Sequence, residues 1–129
     1  MTTDGGGGGG ESTEPALEDI PLSLDAMLDI LANQRRRDLL ELLQDRPENT
    51  VLFEEATKHI LTEKSRQIGQ QPNQDGVQVE LQHHHLTKLA DAGVIEYDIR
   101  SQTIRYRPDE QLEDLYDRIR DFQQERAVQ

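Results

Sequence analysis

Three consecutive histidines, His83, His84 and His85, stand in "LQHHHLTKLADAGVIEYD" (residues 81–98), and three arginines, Arg35, Arg36 and Arg37, open "QRRRDLLELLQDR" (residues 34–46). Imidazoles ligate metals, move protons near neutral pH and donate to DNA. Guanidinium groups fork onto carboxylates, phosphates and guanine edges. Spacing narrows these options. Successive helical residues point about 100° apart, so three adjacent histidines on a helix cannot converge on one ion, which needs a pair at i, i+4 or similar. The chain has no cysteine, which removes thiolate chemistry and the Cys-rich zinc patterns. No metal site and no cofactor are expected.

If Val79, Leu86 and Ala90 mark the inward direction of this helix, His83 lies beside them, His84 points nearly opposite and His85 lies between. One semi-buried and two surface histidines follow, and His84 and His85 are the ones placed to touch DNA. His84 shares its face with Thr87, Lys88 and Asp91. Lys88 has the charge and reach for a phosphate or a guanine, whereas Asp91 opposes both. A solvated polar face is the plain alternative. For the arginine triplet the plain reading is a solvated helix start; since positive charge there opposes the helix dipole, some other partner is expected.

Further along, Arg105 and Arg107 alternate onto the same face as Glu96 and Asp98, where cross-strand ion pairs are worth about 0.2–1 kcal/mol. Arg100, at the turn, has no local acid beyond Asp98 and is the better candidate for a DNA phosphate, with Arg105 beside it. No catalytic constellation emerges: Ser23, Ser65 and Ser101 sit in capping or loop contexts and the carboxylates are scattered. An enzyme is not expected.

The elements that must position these residues can be read from periodicity. "MTTDGGGGGGESTEPALEDI" is low in complexity and acidic, and a disordered tail over residues 1–21 is expected. Ser23 can cap a first helix reaching about Ala32, with Leu24, Met27, Leu28 and Leu31 on one face. Asn33 caps a second, whose Leu39, Leu40, Leu42 and Leu43 occupy an arc broad enough for the centre of the core. A third follows with Phe53, Ala56, Ile60 and Leu61 on one face, Leu52 where a Ser or Thr cap belongs, and Val51 in a short β-bridge. "RQIGQQPNQDG" then reads as a loop of about 11 residues.

A fourth helix from about Val77 to Ala92 carries Val79, Leu86, Leu89 and Ala90 inward and ends on Gly93. "VIEYDI" and "TIRYR" alternate as a hairpin, with Ile95, Tyr97, Ile99, Ile104 and Tyr106 on its inner faces. After Pro108, Leu112, Leu115, Ile119 and Phe122 form a short heptad seam suited to dimerisation. The expected fold is mainly α with a small β-hairpin: a winged helix-turn-helix over residues 22–107 and a C-terminal amphipathic helix over 108–129.

Composition sets the environment. The 129 residues suffice for one domain; with 33% apolar residues the core is small. The chain holds 26 acids against 14 bases, of which only Lys58, Lys64 and Lys88 are lysines, for a net charge of −12. Such acid-rich, lysine-poor surfaces suit concentrated salt, where screening suppresses self-repulsion. Residues 77–107 are the exception, with four acids (Glu80, Asp91, Glu96, Asp98) balanced by four bases (Lys88, Arg100, Arg105, Arg107). That neutrality is what an approach to polyanionic DNA requires. No apolar run nears the ~20 residues of a membrane span and no signal-peptide pattern opens the chain, so a soluble, cytoplasmic protein is expected.

On "LDAMLDILANQRRRDLLELL" (residues 24–43) and "HHHLTKLADAGVIEYD" (residues 83–98) the chain resembles the winged-helix domains of ArsR-type regulators, and within them a group abundant in halophilic archaea of largely unassigned function. The resemblance implies a DNA-binding fold, a homodimer, and a hallmark role for "QRRRDLL", in which Arg37 or a neighbour pairs with acids of the first helix while another arginine contacts backbone. The expected function is transcriptional regulation on double-stranded DNA, with a winged-helix protein-interaction module as the alternative. The long third loop departs from the three or four residues of an ordinary helix-turn-helix.

Overall fold

The computed structural model describes residues 21–128. Apart from Pro21, the tail assigned to residues 1–21 lies outside them. The fold is mainly α, with a small three-stranded antiparallel sheet and a C-terminal helix.

Helix α1 (Leu24–Leu31) starts where the Ser23 hydroxyl accepts the Ala26 N–H at 3.0 Å, with Asp25 in the first turn. It buries Met27, Ile30 and Leu31; Leu24 and Leu28, expected on the inner face, are exposed. The buried stripe centres near Met27, which leaves Leu28 about 100° away. Asn33 caps α2 (Gln34–Gln44) by accepting the N–H groups of Arg35 and Arg36 at 2.8 and 3.3 Å. Leu39, Leu40, Leu42 and Leu43 are all buried, as an arc that broad requires.

A 3₁₀ turn, Pro47–Asn49, leads into β1 (Thr50–Leu52) and directly into α3 (Phe53–Ile68). Leu52 has no side-chain acceptor for a cap. Two other groups serve the first turn instead: the Glu55 carboxylate accepts the Leu52 N–H at 3.2 Å, and the Gln102 carbonyl accepts the Phe53 N–H at 2.8 Å. Ala56 and Ile60 are buried, and Phe53 and Leu61 pack on the core's edge.

The loop after α3 is shorter than the expected 11 residues. Helix α3 continues through Arg66 to Ile68 and closes on Gly69 at φ 72°, a left-handed conformation that favours glycine. Asn73 already caps α4 (Gln74–Glu80) by accepting the Gly76 N–H at 2.9 Å. Residues 69–73 alone remain as the turn, so residues read as loop punctuation act as helix caps.

Helix α4, a π-helical turn (Leu81–His85) and α5 (Leu86–Asp91) run as one rod with right-handed helical backbone at both junctions. The Leu86 N–H bonds the Leu81 carbonyl, five residues back. That wider turn changes which side chains face inward. Val77, Leu81, Leu86 and Leu89 are buried, whereas Val79, expected inside, is 57% exposed and Ala90 is exposed as well.

Gly93 leads into β2 (Ile95–Asp98) and β3 (Thr103–Tyr106), and the sheet order is β1-β3-β2. Ile104 lies between Val51 and Tyr97 in register, and Ile95 faces Tyr106, so the expected alternation holds within the strands. Ile99, expected on the same inner face, falls in the turn and is exposed. The expected bridge at Val51 is a full strand. Helix α6 (Glu110–Val128) buries Leu112 and Tyr116 in the same core. The Tyr106 hydroxyl donates to Glu113 at 2.8 Å and the Tyr116 hydroxyl to Glu41 at 3.3 Å, tying α6 to β3 and to α2. Among the described residues no helix is long and apolar enough to cross a membrane.

Candidate functional site

Two residues, Ala32 and Asn33, separate α1 from α2, so the carbonyl end of one helix meets the N-terminal turn of the next. Arg36 bridges them: its Nε donates to the Ile30 carbonyl and a terminal nitrogen to the Asp29 carbonyl, both at 2.8 Å. Arg37 donates to the Leu31 carbonyl in the same way. The partner expected for this positive helix start is therefore the negative end of the preceding helix, whose last carbonyls lack intrahelical donors. A solvated start is ruled out for Arg36, which is buried. Burial draws its pKa below the ordinary guanidinium value, against the pull of Asp29. Arg35 pairs at 3.3 Å with Asp38, also buried, whose carboxyl burial pushes upward.

The other terminal nitrogen of Arg36 reaches the histidine triplet, 3.4 Å from His85 Nδ1. Arginine has no acceptor, so Nδ1 must be the unprotonated nitrogen and the ring is the neutral Nε2–H tautomer. His85 is 7% exposed; burial first, then Arg36, lowers its pKa to about 4. This corrects two expectations at once. His85 is a core side chain and presents no surface to DNA, while His83, expected beside the core, is exposed together with His84. One histidine is inside and two are outside, but the π turn decides which.

The outer face of the rod carries Gln82, His83, His84 and Thr87. Thr87 turns its hydroxyl onto the Gln82 carbonyl at 3.4 Å, an acceptor available because the π turn shifts the backbone pairing. Lys88 is engaged within the protein: its ammonium lies 2.5 Å from Asp29, and this bond holds the Asp29 carboxyl below its usual range. Lys88 thereby fastens the rod to α1.

On the hairpin, Glu96 receives both Arg107 at 2.5 Å and Arg105 at 3.7 Å, the expected cross-strand pairs. Asp98 instead closes the turn, accepting the Arg100 N–H at 2.9 Å. Among the described residues the Arg100 guanidinium makes no ion pair. Of the six DNA candidates, the structure leaves His84, Thr87 and Arg100 exposed, engages Lys88 and Arg105 with acids, and buries His85.

The dimer seam also divides. Leu112 is fully inside the chain's own core and Leu115 and Ile119 are half-buried against it, so Leu112 is not free to serve a partner. Phe122 is 59% exposed, with the Arg126 guanidinium 5.7 Å above its ring. Among the described residues no three His, Asp or Glu side chains gather to hold an ion.

Sequence reasoning missed Asp29 as the partner of Lys88, 59 positions away, for which no local spacing rule exists. It also missed Arg36 as the link to His85, although a basic triplet at a helix start was itself a signal that an acceptor lay nearby. No curated protein and no solved structure matches the chain. A family model described as a domain of unknown function (DUF7344) matches residues 28–105, more than half of the chain and all of it from within α1 into β3, and the chain belongs to that family.

Proposed function

We propose that the protein is a winged-helix transcriptional regulator that binds double-stranded DNA as a homodimer in concentrated salt. The observation that carries this reading is the rod's polar outer face of Gln82, His83, His84 and Thr87, followed directly by a hairpin whose tip carries Arg100 outside any ion pair among the described residues. A helix of this width fits the major groove, and a basic hairpin tip suits the adjoining phosphates. Charge does not oppose it, because counterion release contributes little in molar salt and shape and hydrogen bonding then carry more of the affinity. For the homodimer, the exposed Leu24 and Leu28 of α1 and Phe122 of α6 supply apolar surface.

The test is recovery of genomic fragments on the immobilised protein at molar KCl, with His84→Glu and Arg100→Glu alongside. Fragments enriched by the native protein and lost in both variants support the regulator. The second reading, a protein-interaction module, draws on the pairing of Lys88, the sole Lys or Arg of the rod, with Asp29. Enrichment of no fragment at any salt concentration would favour that module.

A further inference from the structure

The histidine that faces inward is placed where it can act as a control element. Arg36, His85, Asp29 and Lys88 form a chain of contacts that ties α1, α2 and the rod together at the π turn. Three of these links are indifferent to mild acid: Arg36 stays bonded to the Ile30 and Asp29 carbonyls, and the Lys88 pair holds the Asp29 carboxyl ionised. The fourth requires a lone pair on His85 Nδ1. An imidazolium has none, because both ring nitrogens then carry hydrogen.

We propose that the contact between neutral His85 and Arg36 is an acid-operated latch that fixes the register of the rod, and that proton uptake by His85 releases the π turn while leaving the rest of the core folded. Protonation would set two cations 3.4 Å apart in a buried site, with the guanidinium already anchored by two carbonyls, so the imidazolium is the member that must leave. The charged and titratable groups facing His85 are Arg36 and Arg35 of α2, Glu80 of α4 and His84 in its own turn. Glu80 alone favours the proton.

The sequence also supplies a destination for the released segment. In an unbroken α-helix continuing back from Leu86, the inward positions are Gln82 and Val79, four and seven residues earlier, in place of Leu81 and Val77. Val79 is an exposed apolar residue now and would be covered in that register. The cost is Leu81, which would turn away from the core. Release therefore rotates α4 relative to α5 and redistributes the side chains of the outer face. The latch stands whatever that face binds.

Its test needs no ligand. Nitrogen-resolved NMR of the full chain in molar KCl at pH 7.5 should find His85 protonated on Nε2 only; protonation on Nδ1, or a His85 titration midpoint near that of a free imidazole, overturns the latch. Hydrogen exchange, corrected for its intrinsic pH dependence, should then be followed between pH 7 and 4. The expected result is at least a tenfold loss of protection at Leu86, Thr87 and Lys88 with the Leu40 and Ile60 amides unaffected. In His85→Asn, whose amide oxygen can accept from Arg36 without titrating, that local loss should vanish. Equal pH profiles in the two proteins, or protection lost together at Leu40 and Ile60, would overturn the proposal. The tautomer measurement on the native chain decides the matter if the variant does not fold.

Discussion

At the scale of single residues, buried Arg36 makes the heaviest demand on its surroundings. It donates to the Ile30 carbonyl and shares the Asp29 carbonyl with the Ala32 N–H, and an apolar replacement takes both guanidinium bonds from the end of α1 in a closed site. Arg36→Met should cost about 2–3 kcal/mol of stability, read as a lower urea midpoint at fixed KCl with an unchanged slope. Arg36→Lys should recover little, since an ammonium cannot span the two carbonyls as a planar fork does. His85 makes a prediction in pH. Its folded pKa near 4 lies below the ordinary 6.5, so between those values the unfolded chain holds a proton that the folded chain refuses. Stability from this residue is complete above pH 6.5 and declines as pH falls toward 4. The decline is up to about 3 kcal/mol. Urea titrations across that range should show it in the native chain, and His85→Asn should flatten the His85 share of the slope.

At the scale of elements, the π turn is where sequence and structure part. The apolar spacing in "VQVELQHHHLTKLADAG" fits two helical registers, and periodicity alone favours the unbroken one, with Val79 and Leu86 on the same side. The structure takes the other register because it buries Leu81 and Val77 together with Leu86 and Leu89, a larger apolar set. One pair of substitutions separates the two. Leu81→Ala should destabilise by about 2–5 kcal/mol and Val79→Ala by no more than about 0.5 kcal/mol, measured by urea unfolding. The reverse order would sink the π register. Elsewhere local chemistry was enough to read: Ser23 and Asn33 cap the helices they should, the four leucines of α2 are buried, and Glu96 collects the hairpin arginines. What could not be read was long-range. Nothing near Lys88 announces Asp29, nothing near Leu52 announces Gln102, and the loop was overlong because Gly69 and Asn73 look alike as turn residues and as caps.

At the scale of the whole molecule, a net charge of −12 on 129 residues makes salt part of the fold's stability. Raising KCl from about 0.1 to 1 M shortens the screening length from about 10 to 3 Å, which suppresses repulsion between neighbouring acids. The Tm followed by differential scanning calorimetry should rise by several degrees over that range; a flat or falling Tm would contradict adaptation to salt. Assembly can be separated from folding by sedimentation. Leu112→Ala removes a side chain of the chain's own core and should lower stability by about 2–5 kcal/mol in any oligomeric state. Phe122→Glu should leave the unfolding midpoint of the chain unchanged and shift the sedimenting species toward monomer; an unchanged species would remove α6 from the proposed homodimer.

The bond from the Phe53 N–H to the Gln102 carbonyl has a consequence in time. Because Leu52 cannot cap its own helix, the first turn of α3 borrows an acceptor 49 positions further along the chain. A chain emerging from synthesis therefore has only the local Glu55 acceptor at the start of α3, and the Phe53 N–H waits for its own until the hairpin has been made and docked, a step that the closure of so long a loop slows. The hairpin tip that carries Arg100 is thus among the last parts needed to complete a helix formed much earlier. Displacing the tip at Gln102 withdraws the acceptor that serves the start of α3.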